Sequence, residues 1–457
     1  MGEAGAALLT VLTVLAVLGV AVTMLMDRSR DNIRPWVLEA ETAQAIYAAE
    51  SGIAYQLYLE RFSDSAEPSF GKAAEKEFAD FPPWAEPPAD SFVYRLDTGQ
   101  AMPEVEVDRT RAFLDITSTG VFRNTRATLF ARFGKALEDS IFGPALTLDN
   151  DAPLEPFPRG QVSGSMRVRT LSPGMASLPW SQGFSLVSYI AEFTDKKYYA
   201  LEASLQKKLS EEGGESGNGN FSPDEPPDFL SRPDIAFTLG RVEFVNTGNE
   251  TWVVKGPGRI FSEGEIRVRG RIRLEDVQLL SGKDVVFEDS VAGEDVSVYA
   301  RNGVFIHGRC RLGIEAVAGK DIILRDKSQT TMGSVLLSVG NRHAAKGADS
   351  LNAIRIVNEA VARGFLIAGG SNGRVVMGTP ANVVEGVVMA SAVWLSGEVR
   401  GPVLAQKLLC EGTNARNCLG AGIINRQLLP VGFVQPLQLG PQDRRLYTFK
   451  LMDWRRM

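Results

Sequence analysis

Residues 4 to 26, AGAALLTVLTVLAVLGVAVTMLM, form an uncharged, proline-free apolar run. At about 1.5 Å per residue, a helix of this length matches a hydrocarbon core about 30 Å thick. Asp27, Arg28 and Arg30 bound the run sharply. It lacks the basic n-region, shorter apolar core and small-residue cleavage site of a secretory signal. The expectation is one N-terminal transmembrane helix carrying a large body.

The sequence after Met26 is dominated by alanine, leucine, glutamate and glutamine, all good helix formers. Ile46, Ile53 and Leu57 recur at helical spacing, and Pro35 is expected to kink or end the helix near Arg34. Residues 64 to 91 carry Pro82-Pro83 and Pro87-Pro88 and read as a loop. Short β-like runs follow, FVYRL, VEVD, AFLDITSTGVF and RATLFARF, which suit a small antiparallel sheet resting on the helix. LVSYIAEF reads as a strand and YYALEASLQKKL as a short helix, before the acidic, Gly/Pro-rich stretch from Ser210 to Asp228.

Beyond that stretch, glycine or asparagine punctuates runs such as EIRVRG, DVVFED, DVSVYA, VFIHG and DIILRD. Such strands suggest a right-handed parallel β-solenoid with coils of about 18 to 24 residues, and a β-sandwich is the competing arrangement. Val285, Phe287, Val296, Val298, Ile322 and Leu324 are expected to point inward, and ADSLNAIRIVNEAVAR (348–363) reads as an inserted helix. The fold class is therefore α+β. Its expected parts are a spine helix (1–63), a small α/β head (64–209), a linker (210–228), a β-solenoid (229–430) and a C-terminal cap (431–457).

Chemistry is sparse. No nucleophile elbow, zinc spacing, Walker loop or dinucleotide fingerprint occurs. No catalytic residue, metal or cofactor is expected. The formal net charge of −6 gives no general attraction to nucleic acid. His307 and Cys310, three residues apart in a strand, fall on opposite faces and make a poor metal pair. Asp149, Asn150, Asp151 and Glu155 lack a full calcium-loop pattern. Cys410 and Cys418 frame a turn-rich loop and can close a local disulfide in an oxidising compartment. Two free thiols are the alternative, and Cys310 reads as a small buried apolar residue. Arg267, Arg269, Arg271 and Arg273 alternate in IRVRGRIRL. On one strand they would share a face, available to an anionic polymer or simply solvated.

Gly5-Ala6-Ala7-Leu8-Leu9, the segment Ala48-Ala49-Glu50-Ser51-Gly52-Ile53 and ITSTGVFRNTRATL (116–129) resemble bacterial type IV pilin-like proteins, particularly minor pilins and the large minor pseudopilin of type II secretion. The resemblance implies cleavage after Gly5, leaving Ala6 as the new N-terminus. It also implies packing of Leu8, Leu9, Leu12, Leu15 and Leu18 against the membrane and other pilin-like subunits. The family's usual acidic residue is Thr10 here, a departure that fits a tip or initiating subunit. On this reading the chain is a single-pass inner-membrane protein with a periplasmic or extracellular body. Its role is structural rather than enzymatic, with the solenoid displayed for adhesion to a surface polysaccharide or protein. Arg28, Arg30 and Arg34 follow the span, and the positive-inside rule alone would place the body in the cytoplasm. The alternative is accordingly a cytoplasm-facing, membrane-tethered polymerising scaffold, since the C-terminal repeats faintly resemble bactofilins. An extracellular polysaccharide-active enzyme comes third.

Overall fold

The computed structural model describes residues 3–62, 91–95, 101–109, 113–123, 125–135, 142–149, 160–168, 186–210, 215–340, 352–370, 372–409, 418–430, 433 and 449–457. Helix α1 (Glu3–Phe62) runs unbroken through Pro35, so the expected break near Arg34 is absent. Its 60 residues span about 90 Å at 1.5 Å per residue.

Among the described residues, no helix is long and apolar enough to cross a membrane. The described part of the apolar run ends at Met26, and Asp27, Arg28, Arg30, Asp31 and Arg34 crowd the next turns. The expected transmembrane spine and single-pass inner-membrane location are overturned by this finding, and the expected α+β class gives way to a mostly β chain, since strands dominate the described secondary structure.

The C-terminal half of α1 lies on an antiparallel sheet of order β1-β2-β3-β4-β29. Its strands are β1 (Ser91–Arg95), β2 (Ala101–Arg109), β3 (Phe113–Phe122), β4 (Thr125–Lys135) and β29 (Phe449–Arg456). Ile116, Leu114 and Val105 from the sheet, with Leu129, Ala131 and Phe133, bury against Ala49 and Ile53 of the helix. The approach is close because both partners are small: Gly120 of β3 meets Ala45, Ala48 and Ala49 directly. Glu41 ties the hairpin turn down through Arg123 at 3.0 Å.

Between β4 and β29 the chain builds a parallel β-solenoid. Its strands run from β10 (Asp234–Thr238) to β28 (Ile423–Asn425). All its named pairings are parallel across three stacked faces, as in β10 with β12 (Trp252–Ser262), β11 (Val242–Asn246) with β13 (Ile266–Gly270), and β26 (Glu398–Arg400) with β28. One continuous core fills the interior. The six residues expected to point inward are all at most 2% exposed. The inner face of the strands is apolar, with successive side chains alternating between interior and outer face as period 2 dictates.

Three segments lie elsewhere than expected. LVSYIAEF and YYALEASLQKKL together form one helix, α2 (Leu186–Ser210). In ADSLNAIRIVNEAVAR, the described residues form β22 (Ala353–Ile356) and the start of β23 (Val361–Ala368). Ile354 and Ile356 point into the core, and Asn358 and Glu359 turn the corner with positive φ. Stacking on the preceding coil overrides local helix propensity there. Residues 146–168, assigned above to the head, supply β5 (Leu146–Leu148), β6 (Val162–Ser163) and β7 (Met166–Val168), which extend the C-terminal end of the solenoid. Within the expected linker, β8 (Glu215–Ser216) and β9 (Gly219–Phe221) pair with β10 and β11 at the opposite end. The expected cap, in turn, contains β29, which closes the head sheet beside β4.

Candidate functional site

The three outer faces of the solenoid differ in what covers them. On the first, an unbroken apolar column climbs the ladder through Phe261, Leu280, Tyr299, Val317, Leu337 and Ile367. Helix α2 lies along it and touches strands from β10 to β27 (Val403–Leu408). Tyr198 and Leu205 of α2 are buried in this layer. Polar ties reinforce the seat: Glu202 accepts hydrogen bonds from Arg301, at 2.6 Å, and from the Tyr299 hydroxyl, and Lys197 pairs with Glu315. Burial raises the Tyr299 hydroxyl well above the usual phenol range, reinforced by the Glu202 carboxylate. Burial pushes the Glu202 carboxyl upward, but the Arg301 and Tyr299 hydrogen bonds outweigh it and hold it below the usual carboxylate range.

A second face carries interleaved charges. Arg363 and Arg400 flank Glu385 at 2.6 and 2.9 Å, and Arg273 bridges Glu275 and Glu294 at 2.9 and 3.1 Å. This is a solvated ion-pair ladder, of the kind worth little to stability pair by pair.

The remaining face is neither covered by α2 nor uniformly charged. Its central column follows the register of β11, β13, β15 (Val285–Asp289), β17 (Val304–Ile306), β19 (Ile322–Leu324) and β22 through Glu243, Arg267, Val286, Phe305, Ile323 and Arg355. It continues to Val376 and Trp394. Adjacent residues in such a column lie about 4.8 Å apart. The Phe305 ring is laid back over Gly303, where a Cβ would come within 2.8 Å of its Cζ. Glycine at that position lets the ring recline on the sheet. Asp284 accepts from the Gly303 amide at 2.9 Å, and Asp321 from the Ala353 amide at 2.9 Å. The His307 ring sits 6.1 Å from that of Phe305, with Nδ1 3.0 Å from Arg325. Burial, then Arg325, lowers the His307 pKa, so the imidazole is neutral near pH 7. With Arg325 donating to Nδ1, the proton rests on Nε2, a donor beside the Phe305 ring.

The four arginines singled out by alternation do not share one strand. Arg267 and Arg269 stand on β13, whereas Gly270 turns a corner with positive φ and Arg273 lies on β14 (Ile272–Ser281). Each has a partner: Arg267 with Glu265 at 3.0 Å, Arg269 with Asp289 at 3.3 Å, Arg271 with the Asn249 carbonyl at 2.6 Å, and Arg273 with its two glutamates. Cys310 is a free, buried thiol, pushed up to about 12 chiefly by burial. Cys418 is disulfide-bonded, and Cys410 lies outside the described residues. Gly5, Ala6, Leu8, Leu9 and Leu12 fall on α1, but their side chains lie outside the described residues; Leu15 and Leu18 are exposed. Asn150, Asp151 and Glu155 also lie outside the described residues. Among the described residues no group of three or more His, Cys, Asp or Glu could hold a metal ion.

Sequence reasoning passed over the Phe305 column. Arg267, Val286, Phe305 and Ile323 are 19, 19 and 18 residues apart. Aligning the runs by coil would have brought them together.

The architecture defines a helix-backed antiparallel head into which a β-solenoid is inserted. No family model matches the chain, and no curated protein matches it. Among solved structures it is similar to the competence-associated pilin ComZ from Thermus thermophilus. The identity is 10% and the TM-score 0.19, over 91% of this chain and 97% of that one. A TM-score that low assigns neither fold nor function, which therefore rest on this chain's own residues.

Proposed function

We propose that the chain is a structural, pilin-like subunit: α1 is an assembly spine, the head sheet holds it, and the solenoid is the displayed module. One observation carries this reading. The C-terminal half of α1 is seated on the head, whereas residues 15 to 26 leave large apolar side chains in the open, among them Leu15 at 61%, Leu18 at 55% and Met24 at 68% exposure. A contiguous apolar stretch of this kind marks an interaction surface. The occupants are the equivalent stretches of other spine helices, which bury the same side chains in a helical filament. The pilin-like pattern at Ala48–Ile53 supports that choice of partner.

The test is incorporation into filaments sheared from producing cells. Leu18→Arg is expected to abolish incorporation while leaving the head and solenoid folded, and Arg269→Ala to leave it unchanged. Normal incorporation of Leu18→Arg would overturn the spine role.

A further inference from the structure

We propose that residues 221–233 are a terminal cap that keeps a second copy of this chain from adding to the free end of the solenoid. The inference goes beyond the spine role, because it names the surface that the chain withholds from assembly.

A parallel solenoid is open at its ends. Its last strands have a neighbour on one side only and leave a row of amide and carbonyl groups with which another chain can pair. The end of this solenoid away from the head is of that kind. Strand β8 pairs with β10 and β9 with β11, and no described strand lies beyond either. On the third face, Trp252–Lys255 of β12 pair with β14, since β10 reaches only Arg259–Ser262. Residues 221–233, FSPDEPPDFLSRP, run from the last residue of β9 to the start of β10.

The underside of this segment is apolar. The Phe221 ring lies 5.0 Å from that of Phe244 and 5.9 Å from that of Phe237, centroid to centroid. Phe229 is buried over Gly258, where a Cβ would come within 2.3 Å of its ring. These two rings finish the continuous core in place of a further coil.

The outer side has little to offer an incoming strand. Pro223, Pro226, Pro227 and Pro233 have no amide hydrogen to donate. Five further amides are turned inward. Ser222 and Glu225 donate to each other's carbonyl at 3.3 and 3.1 Å, and Arg232 donates to the Asp228 carbonyl at 3.0 Å. Leu230 and Ser231 donate to the Asp228 carboxylate. Prolines and inward-turned amides are what blunt an edge against pairing.

Charge acts in the same direction. Asp224, Glu225 and Asp228 are all exposed. Hydrogen bonds from the Ser231 hydroxyl and amide hold the Asp228 carboxyl below its usual range, so it stays charged. Two copies meeting free end to free end would set these carboxylates against their counterparts, and facing like charges oppose association. Leu230 is the one large apolar side chain that the segment exposes, and a single exposed leucine is no interface. An apolar underside and a polar outer face are what a terminal repeat needs in order to end a stack.

Sedimentation velocity of the full chain carrying Leu18→Arg, which removes the spine contact, tests this. One variant adds Asp224→Asn and Glu225→Gln, leaving every proline and backbone hydrogen bond in place. A second adds Pro223→Thr, Pro226→Thr and Pro227→Val to these. The parent is expected to associate least, and the second variant to self-associate at concentrations about tenfold lower or less, with the first between them. Retained exchange protection from β9 to β14 shows that the second variant is folded; if it loses that protection, the first alone decides. Self-association no stronger in the folded variants than in the parent would overturn the proposal. A spine contact that survives Leu18→Arg is common to all three chains and leaves their differences unchanged, so a failed spine role and a failed cap are told apart.

Discussion

The contact between α1 and the head sheet depends on Gly120, and replacing it with alanine should separate the two. A Cβ at position 120 would lie 2.0 Å from the Ala45 carbonyl oxygen, 2.5 Å from the Ala49 amide nitrogen and 2.9 Å from the Ala48 Cβ. Ordinary contact needs about 3.5 Å, so helix and strand must part by more than 1 Å. The obstacle is helix backbone, which cannot swing aside as a side-chain tip can. A gap of 0.5–1 Å already forfeits about a quarter to a half of each dispersion contact, and the layer that opens holds Ile53, Leu114, Ile116 and Leu129. Overpacking typically costs about 1–3 kcal/mol; a backbone clash places Gly120→Ala near the upper end. A chain of this construction does not unfold in two states, so a single global midpoint would blur the effect. Native-state hydrogen exchange resolves it, because local opening is read amide by amide. About 3 kcal/mol corresponds to about a hundredfold faster exchange in β3, β4 and residues 45–53. Gly19→Ala is the control: a Cβ there meets nothing within 4 Å, and alanine in an exposed helix interior gains about 1 kcal/mol over glycine. Unchanged protection in Gly120→Ala would refute the close-approach argument, as would the same loss in Gly19→Ala.

Helix α2 should loosen when Glu202 is removed. Glu202→Ala strips the Tyr299 hydroxyl and Arg301 of their shared acceptor and is expected to cost about 1–3 kcal/mol, read as faster exchange in residues 186–210 with the inner core unaffected. The same tie has a pH signature. The folded-state pKa of Glu202 is depressed, so its contribution is present above the unfolded pKa and is lost as pH falls through the folded one. Exchange of α2 should therefore rise only below the usual carboxylate range, and flat behaviour across that window would refute the role. Cys310, pushed up to about 12, should ignore a thiol reagent at pH 8 until the chain is unfolded. Without reductant, denatured protein should then show one thiol, and with reductant three; three in both cases would exclude a Cys410–Cys418 bridge.

The solenoid was legible because its corners demand it. Glycine, asparagine or aspartate recurs at many of the coil corners, and inward residues such as Val296 and Val298 alternate with the polar Ser297, so period 2 identified strands and inner face. Helix α2 was not legible in its first half. LVSYIAEF is a short apolar run that fits a buried strand as well as a helix, and periodicity alone does not decide between them. The opposite error at Ala353–Ile356 has the same origin, since neighbouring coils dictate the backbone there. The candidate site was half legible. Arg267 and Arg269 drew notice by alternation, but the carboxylates that answer them, such as Asp289, come from other coils and leave no local trace. Phe305 escaped for the same reason.

Long-range pairing also explains why the domain boundaries could not be read along the chain. Strand β5 lies beside β27 (Val403–Leu408), and β6 beside β28, so the chain enters the solenoid at the end from which it later leaves. Helix α2 then carries it back along the whole stack to β8 and β9, where winding begins. Finally β29 returns to β4 and completes the head. Both links between head and solenoid thus converge on one end. Among the described residues the opposite end bears no connection to the head, and the Phe305 column starts near it, at Asn220 on β9 and Glu243 on β11, and climbs back toward the head. Load transmitted through the head enters the solenoid only at its last coils. Peeling from the free end would have to strip α2 from its apolar seat before the coils could open. Helix α2, which touches strands along the whole stack, is thus the layer the sequence left hardest to see.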